Sequence, residues 1–257
     1  MPEIFAAIWE QVGGPAFQAR HGLTADQYQQ TFNQLVNQGF RPTCVSGYTV
    51  GGGGQARFAA IWEQRGGPAF QARHGLTADQ YQQTFDQLGN QGFRLIYVNG
   101  TSVGGQARFA AIWGQRGGPA FQARHNLTAD QYQQTFNQLV SQGFRLTCVS
   151  GYNVGGRERF AAIWEQRGGP AFQARHNLTA DQYQQTFNQL VSQGFRLRFV
   201  SGYSVGGQDR YAAIWEQVGG PAFQARHGLT ADEYQQTFDQ LGGQGFRLRF
   251  VNAFERV

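Results

Sequence analysis

The 257-residue chain contains no lysine, so all 21 of its basic residues are arginine. This absence excludes chemistries that need a lysine amine: the phosphate-binding P-loop, Schiff-base catalysis and the Ser-x-x-Lys nucleophile. No run of about 18 apolar residues occurs, so a membrane is not an expected partner. The first residues, Met-Pro-Glu-Ile-Phe, lack the features of a secretory signal. We expect a chain that is cytoplasmic or exported by a non-classical route.

Cysteine is also scarce, with only Cys44 and Cys148. The two lie at matching places in different repeats, which predicts free thiols rather than a disulfide. The net charge of +5 would suit an anionic partner, but the arginines are spread evenly along the chain. A nucleic-acid partner is therefore not favoured. Aromatic residues make up 14% of the chain and recur at regular intervals, which argues against disorder.

The regular intervals reveal a fivefold repeat. Tryptophan recurs at a spacing of 53, 51, 51 and 51 residues, at Trp9, Trp62, Trp113, Trp164 and Trp215. Histidine has the same spacing, at His21, His74, His125, His176 and His227. The two extra residues fall in the glycine run 51–54. Such a period is typical of supersecondary units that bury their cores against one another. We expect a single domain with approximate units 41–93, 94–144, 145–195, 196–246, and 247–257 joined with 1–40.

Within one unit the pattern predicts a β-hairpin followed by two helices. Residues 145–154 and 159–166 are rich in β-branched and aromatic residues and flank a Gly-Gly turn. Pro170 then opens a predicted short helix over 171–176, followed by a Gly or Asn that tolerates the left-handed conformation. A longer helix begins after a threonine that forms a capping box, and it ends at a glycine. The capping threonines are Thr24, Thr77, Thr128, Thr179 and Thr230.

The ends of the chain predict how the array of units closes. The chain begins with a second strand, Ile4 to Gln11, and finishes with a first strand, Arg247 to Glu255. Pairing of these strands would complete the missing hairpin and leave no exposed edge. Because no polar capping repeat is present, we expect a closed α+β toroid of five β-β-α-α repeats with ten strands, similar to a propeller. One continuous barrel and five separate blades both remain open.

The unit also resembles a known repeat. Arg-Phe-Ala-Ala-Ile-Trp-Glu-Gln, Phe-Gln-Ala-Arg-His-Gly-Leu-Thr, Tyr-Gln-Gln-Thr-Phe, Gln-Gly-Phe-Arg and Val-Ser-Gly-Tyr are together similar to the bacterial tandem repeat domain. The resemblance covers essentially the whole chain. Repeats of this family often lie beside a β-lactamase-like serine hydrolase domain, as in fungal polyglycine hydrolases. The resemblance implies a repeat module but not the hydrolase activity, because a chain without lysine has no Ser-x-x-Lys motif.

The repeated tryptophans, histidines, tyrosines and arginines are candidates for ligand contacts, and the first three also have structural interpretations. Each tryptophan is either a core residue or a platform for a sugar ring. Each histidine contacts either a ligand or the end of the predicted short helix. The hairpin tyrosines, Tyr48, Tyr152 and Tyr203, are replaced by Thr101 and Phe254 in the other units, which fits either loop tolerance or binding by some units. The arginines beside the indoles are Arg57, Arg108, Arg159 and Arg210.

A second group of arginines lies on one strand face of the last two units. It consists of Arg196, Arg198, Arg247 and Arg249. If this face lines a lumen it could hold an anion, and otherwise it is solvated or paired with glutamates. No metal or catalytic site is predicted, because no histidine has a nucleophile, a carboxylate or a second ligand at a fixed offset.

Five near-identical units favour a multivalent binding module without a cofactor. Its first expected ligand is a carbohydrate or another repetitive ligand, which would make the protein lectin-like. The alternative is a structural or protein-interaction ring that serves as the recognition accessory of a serine hydrolase. An enzyme with a site between units ranks last.

Overall fold

Fifteen strands and five helices follow one another along residues 1–256, the part of the chain that the computed structural model describes. The strands of the first half are β1 (Glu3–Glu10), β2 (Phe17–Leu23), β3 (Phe40–Val50), β4 (Gln55–Gln64), β5 (Phe70–Leu76), β6 (Arg94–Val103), β7 (Gln106–Gly114) and β8 (Phe121–Leu127). Those of the second half are β9 (Phe144–Val154), β10 (Arg157–Gln166), β11 (Phe172–Leu178), β12 (Phe195–Val205), β13 (Gln208–Gln217), β14 (Phe223–Thr230) and β15 (Arg247–Glu255). The helices are α1 (Ala25–Asn37), α2 (Ala78–Asn90), α3 (Ala129–Ser141), α4 (Ala180–Ser192) and α5 (Ala231–Gly243).

The strands form five separate antiparallel sheets of three strands each, ordered β2-β4-β3, β5-β7-β6, β8-β10-β9, β11-β13-β12 and β14-β1-β15. The predicted hairpins are confirmed, and each supplies the central strand and one edge strand of its sheet. The fifth sheet takes its central strand from the N-terminus, so the predicted pairing of the first strand with the last is also confirmed. Each sheet combines a hairpin with the strand that lies before the preceding helix, as β2 lies before α1 and the hairpin β3-β4. The strands of a sheet therefore begin one strand earlier than the units expected from the sequence.

The short helix predicted over 171–176 is wrong, because residues 172–176 lie in strand β11, and the four related segments are strands as well. Their Gln, Ala and Arg residues favour a helix, but the ladder with the central strand outweighs that local preference. Each repeat therefore has three strands and one helix, and the sheets hold fifteen strands rather than ten. The left-handed residues are predicted correctly, with φ of 58° at Asn126 and 57° at Asn177. They form bulges in a strand instead of a helix end.

The five helices begin and end where the sequence predicts. Thr24 Oγ1 accepts a hydrogen bond from Gln27 N at 3.2 Å, and the Gln27 side chain accepts one from Thr24 N at 2.9 Å. The same capping box forms at the other four threonines. At the end of α2, Phe93 N donates to Leu88 O at 2.9 Å across Gly92, the hydrogen bond of a Schellman motif. These local signals fix each helix independently of the rest of the fold.

Each helix lies between its own sheet and the first strand of the next. The Tyr28 ring of α1 lies 5.0 Å from Phe58 and 5.9 Å from Trp62, both in β4. On its other side it meets His74 of β5 edge-on at 4.8 Å. Helix α5 repeats the arrangement at the end of the chain, where Tyr234 meets His21 of β2 at 5.2 Å. The contacts between successive units thus continue from the fifth unit to the first.

Hydrogen bonds also link one edge strand of each sheet to that of the next. These strands, called the inner strands, are β3, β6, β9, β12 and β15. A backbone N–H of one unit donates to a serine or asparagine side chain of its neighbour over 2.7 to 3.0 Å. The five donor–acceptor pairs are Gly47–Asn99, Gly100–Ser150, Gly151–Ser201, Gly202–Asn252 and Ala253–Ser46. The last of these pairs returns to the first unit. All five acceptor side chains are buried.

Side chains of the inner strands fill the middle of the molecule. At one level they are Cys44, Tyr97, Cys148, Phe199 and Phe250, all of which are buried. The Phe199 and Phe250 ring centroids are 4.3 Å apart. Both thiols are free, as predicted. Burial raises the pKa of Cys44 to about 11 and that of Cys148 to about 12, so both are protonated at neutral pH and serve as small apolar groups.

Candidate functional site

The five tryptophans lie in the core, and none has any exposed surface. Their indole nitrogens are also buried and have no hydrogen-bond partner within residues 1–256. A platform for a sugar must present a ring face to the ligand. The placement therefore agrees with the core interpretation of the sequence, and the tryptophans are not part of the candidate site.

The hairpin tyrosines also lie inside, at the contacts between units. Tyr48 Oη accepts a hydrogen bond from Gly22 N at 3.0 Å and donates one to Glu3 Oε2 at 2.9 Å. Tyr152 Oη accepts from Asn126 N at 3.0 Å. Burial raises the pKa of Tyr48, Tyr152 and Tyr203 well above the usual value, so all three stay protonated. These hydroxyls stabilise the left-handed bulge of the preceding strand rather than facing solvent.

The histidines lie in the outer strands, half-buried against the helix of the preceding unit. The predicted contact with a short helix is wrong, because that segment is a strand. The His74 ring meets Phe58 edge-on at 5.0 Å, and its Nε2 lies 3.1 Å from Gln29 Oε1. Each histidine is therefore a packing residue with one polar edge.

We expect acidification to destabilise the fold through these histidines. Burial lowers the pKa of four of them, His74, His125, His176 and His227. The unfolded chain therefore takes up these protons at a higher pH than the folded chain. The stability is fully present above the unfolded pKa of about 6.5 and is lost as the pH falls through that value towards the folded pKa. Urea unfolding between about pH 7.5 and pH 5.5 measures this slope.

The variant His74→Gln provides the control for the pH dependence. Glutamine cannot titrate, so the slope of unfolding free energy against pH should decrease by the share of one histidine. An unfolding free energy that does not change over this pH range would contradict the expectation. So would a variant with the same slope as the natural sequence.

Two of the predicted arginines of the hairpins line a groove between units. Arg159 of β10 and Arg210 of β13 line this groove between the third and fourth sheets, with a volume of about 530 Å³. Glu158, Asp130 and Asn177 line the same groove. Arg159 donates to Glu158 O at 2.9 Å, and Arg210 donates to Gln208 Oε1 at 2.7 Å. A guanidinium has five N–H donors, so both retain donors for a ligand.

Two further predicted arginines occupy the related places of the first two sheets. Arg57 donates to Ala56 O and Arg108 donates to Ala107 O, each at 3.0 Å. Both are partly buried, like Arg159 and Arg210. The four arginines thus lie at related positions of their strands, but only Arg159 and Arg210 line the groove with its carboxylates and amide.

A second pocket, which the sequence analysis missed, lies where the five hairpins meet. Its volume is about 230 Å³, and every unit contributes to its lining. The side chains at one level are Thr49, Ser102, Asn153, Ser204 and Glu255. The Glu255 carboxylate accepts hydrogen bonds from Gly52 N and Gly53 N, both at 2.7 Å. The only signal for this pocket in the sequence is the coincidence of the longer glycine turn with a single acidic residue in the last strand.

The arginine-rich strand face lies away from the hairpin turns, and its arginines are paired with glutamates. This is the second of the two interpretations offered by the sequence. Ion pairs of 3.1 to 3.3 Å join successive units: Arg94–Glu165, Arg145–Glu216, Arg196–Glu10 and Arg247–Glu63. Arg198 and Arg249 lie beside the same glutamates. Four carboxylates offset only part of the charge of these six arginines, but every one of the six is already paired with a glutamate, so the face is a weaker anion site than its arginine content indicates.

Within residues 1–256, no group of three or more His, Cys, Asp or Glu side chains is placed to hold a metal ion. No helix in that range is long and apolar enough to cross a membrane.

Five sheets with the same order, the same bulge and the same helix caps define a tandem-repeat protein. A family model described as polyglycine hydrolase-like, structural repeat, matches residues 14–65, 67–116, 118–167, 169–218 and 220–256. The chain belongs to this family, and the resemblance found in the sequence is confirmed. The first four ranges each hold the strands of one sheet. A search of curated proteins finds no match to the chain.

Proposed function

We propose that the chain is a non-catalytic, multivalent binding module in the form of a closed five-unit toroid, and that its ligand is a carbohydrate. Three series of contacts support closure, because each includes a contact from the fifth unit to the first. They are the packing of Tyr234 on His21, the hydrogen bond from Ala253 to Ser46, and the ion pair of Arg247 with Glu63. We infer multivalency because Arg57, Arg108, Arg159 and Arg210 lie at related positions of four units.

The groove of Arg159 and Arg210 carries the proposal of binding. Arg157 also lines this groove, so three guanidiniums, two carboxylates and one amide face it. Such groups are suited to pairs of hydroxyl groups, since each offers donors or acceptors in a fixed fork. Its volume of about 530 Å³ lies within the usual range for small-molecule sites. With the indoles buried, hydrogen bonds rather than stacking would provide the recognition. We therefore expect weak binding at one groove and stronger binding to a repetitive glycan.

The test is a glycan and polysaccharide array probed with the labelled protein, with competition by the free sugar. Arg159→Ala and Arg210→Ala should each weaken the competable binding about tenfold, because each removes charge-assisted hydrogen bonds. Arg175→Ala is the matched control, since Arg175 is an exposed arginine of β11 that does not line the groove. Equal binding by all three variants, or an array without any bound glycan, would contradict the proposal.

A protein-interaction ring is the second candidate, favoured by the burial of all five indoles. Without exposed ring faces the chain lacks the usual sugar platform, and the family description names a structural repeat. The ring would then be an accessory that presents a partner protein to a hydrolase. This candidate predicts a silent glycan array together with a stable complex on size-exclusion chromatography with a purified hydrolase of that class.

A further inference from the structure

A small cavity lies between the first and second units, beside Thr101. Its volume is about 110 Å³, and most of its lining is apolar. Gly47 and Phe58 of the first unit line it, together with Thr101 and Phe109 of the second. Two further lining residues, Ala25 and Gly75, are exposed, so the cavity opens to solvent on their side. The repeat itself explains why this space exists.

Each of the other four units places an aromatic ring at the position of Thr101. The rings are those of Tyr48, Tyr152, Tyr203 and Phe254. Tyr152 packs directly on Gly100, where an added Cβ would be 2.5 Å from the ring. The same ring meets Phe109 edge-on at 5.6 Å. Thr101 is too small to fill this slot. A Cβ built on Gly47, the equivalent of Gly100, would lie 3.4 Å from Thr101 Cγ2. Phe58 lines the space that remains.

The slot also retains the hydrogen-bond donor that serves a ring hydroxyl. In the third unit, Tyr152 Oη accepts from Asn126 N at 3.0 Å. The residue equivalent to Asn126 beside the cavity is Gly75, which has the same left-handed conformation, with φ of 67°. The carboxylate that receives the Tyr48 hydroxyl is replaced at the cavity by Ala56. In the unit of Tyr152 the equivalent position also holds an alanine, Ala107, so the hydroxyl end of the slot resembles that of Tyr152.

We propose that this cavity binds one molecule of a free monocyclic phenol in place of the missing tyrosine side chain. The ring lies against Gly47 and meets Phe58 edge-on, as Tyr152 does with Gly100 and Phe109, and the hydroxyl accepts a hydrogen bond from Gly75 N. A flat apolar slot of this kind favours a single aromatic ring, since apolar cavities of about 150 Å³ bind benzene. The hydroxyl end faces the mouth and the para carbon faces Thr101. A tyrosine that is attached to a peptide through its para carbon is therefore excluded.

Calorimetric titration of the full chain with phenol tests the proposal. We expect one phenol per chain, with a dissociation constant on the order of 1 mM, as befits seven non-hydrogen atoms. Benzene should bind several-fold more weakly because it lacks the hydroxyl. N-acetyltyrosinamide should not bind. Binding of N-acetyltyrosinamide as tight as that of phenol would overturn the assigned orientation, and absence of heat up to tens of millimolar phenol would overturn the site.

The variant Thr101→Tyr is the matched control, because it fills the slot with the ring that the other units carry. Its affinity for phenol should be at least tenfold lower than that of the unsubstituted chain, and its melting temperature should be a few degrees higher. The variant Tyr152→Thr should create a second slot and raise the stoichiometry to two phenols per chain. Thr101→Tyr with phenol affinity equal to that of the natural sequence would overturn the proposal, whether or not Tyr152→Thr folds.

Discussion

Replacing Gly151 by alanine is expected to destabilise the protein by about 3 kcal/mol or more. A Cβ built on Gly151 lies 2.3 Å from Cε1 and 2.4 Å from Cδ1 of Tyr203, far inside van der Waals contact. The Tyr203 ring cannot move aside easily, because its hydroxyl is 3.3 Å from Glu158 Oε2 and its edge packs on Phe160. Urea unfolding followed by circular dichroism measures the loss, which should lower the midpoint without changing the slope.

The same substitution at Gly47 is the control for Gly151. A Cβ there would be 3.4 Å from Phe58 and from Thr101, since the neighbouring unit has no aromatic ring. We expect Gly47→Ala to cost less than about 1 kcal/mol. Tyr203→Thr should recover part of the stability lost in Gly151→Ala, and a double-mutant cycle measures this coupling. Equal losses at the two glycines would show that the ring contact is not the cause.

The sequence predicts correctly those features in which groups close together in the chain satisfy one another. Thr24 and Gln27 are three residues apart and satisfy each other's backbone groups, so the cap forms whatever surrounds it. Asn126 and Asn177 are predicted to adopt the left-handed conformation, because few other residues tolerate it. The resemblance to a known repeat adds the unit length and the repeat class. It does not indicate which strands pair within a sheet.

The remaining errors concern contacts between segments that are distant in the chain. The residues Phe172–Leu178 form a strand because β13, about 40 residues later, supplies their hydrogen-bond partners. The tryptophans cannot be assigned to core or surface until the helix of each unit is placed between two sheets. The hairpin pocket requires five turns to converge, and the groove requires Arg159 and Arg210 from different units. No single repeat contains this information.

The ion pair between Glu63 and Arg247 joins residues 184 positions apart, at the boundary between the first and fifth units. Glu63 Oε1 lies 3.2 Å from Arg247 Nη2 and 2.8 Å from Arg249 Nη1. The side chains of Glu63 and Arg247 are only 9% and 8% exposed, so Glu63→Ala would leave a buried guanidinium without its carboxylate. We expect a loss of about 3 kcal/mol in the free energy of unfolding, measured with urea.

The chain itself contains the matched comparison for Glu63. Gly114 stands where the guanidinium of Arg41 would meet its glutamate, and a Cβ added there has no neighbour closer than 3.8 Å. Gly114→Glu should therefore stabilise the protein by up to about 1 kcal/mol. It should do so only while Arg41 is present, so the additional change Arg41→Ala should remove the gain. If Gly114→Glu changes nothing, the ion pairs between units contribute little to stability.

A double-mutant cycle of Glu63→Ala with Arg247→Ala decides whether the first and last units are held together in solution. In a closed toroid the two residues touch, so the second substitution should cost much less once the first has been made. The expected coupling is about 1–3 kcal/mol, and the cycle of Glu165 with Arg94 provides the value for two units that are adjacent in the chain. An open array of the same units would preserve the Glu165 coupling and lose that of Glu63. Equal coupling in the two cycles would support the proposed closure, because only a closed ring makes the chain ends equivalent to any other boundary.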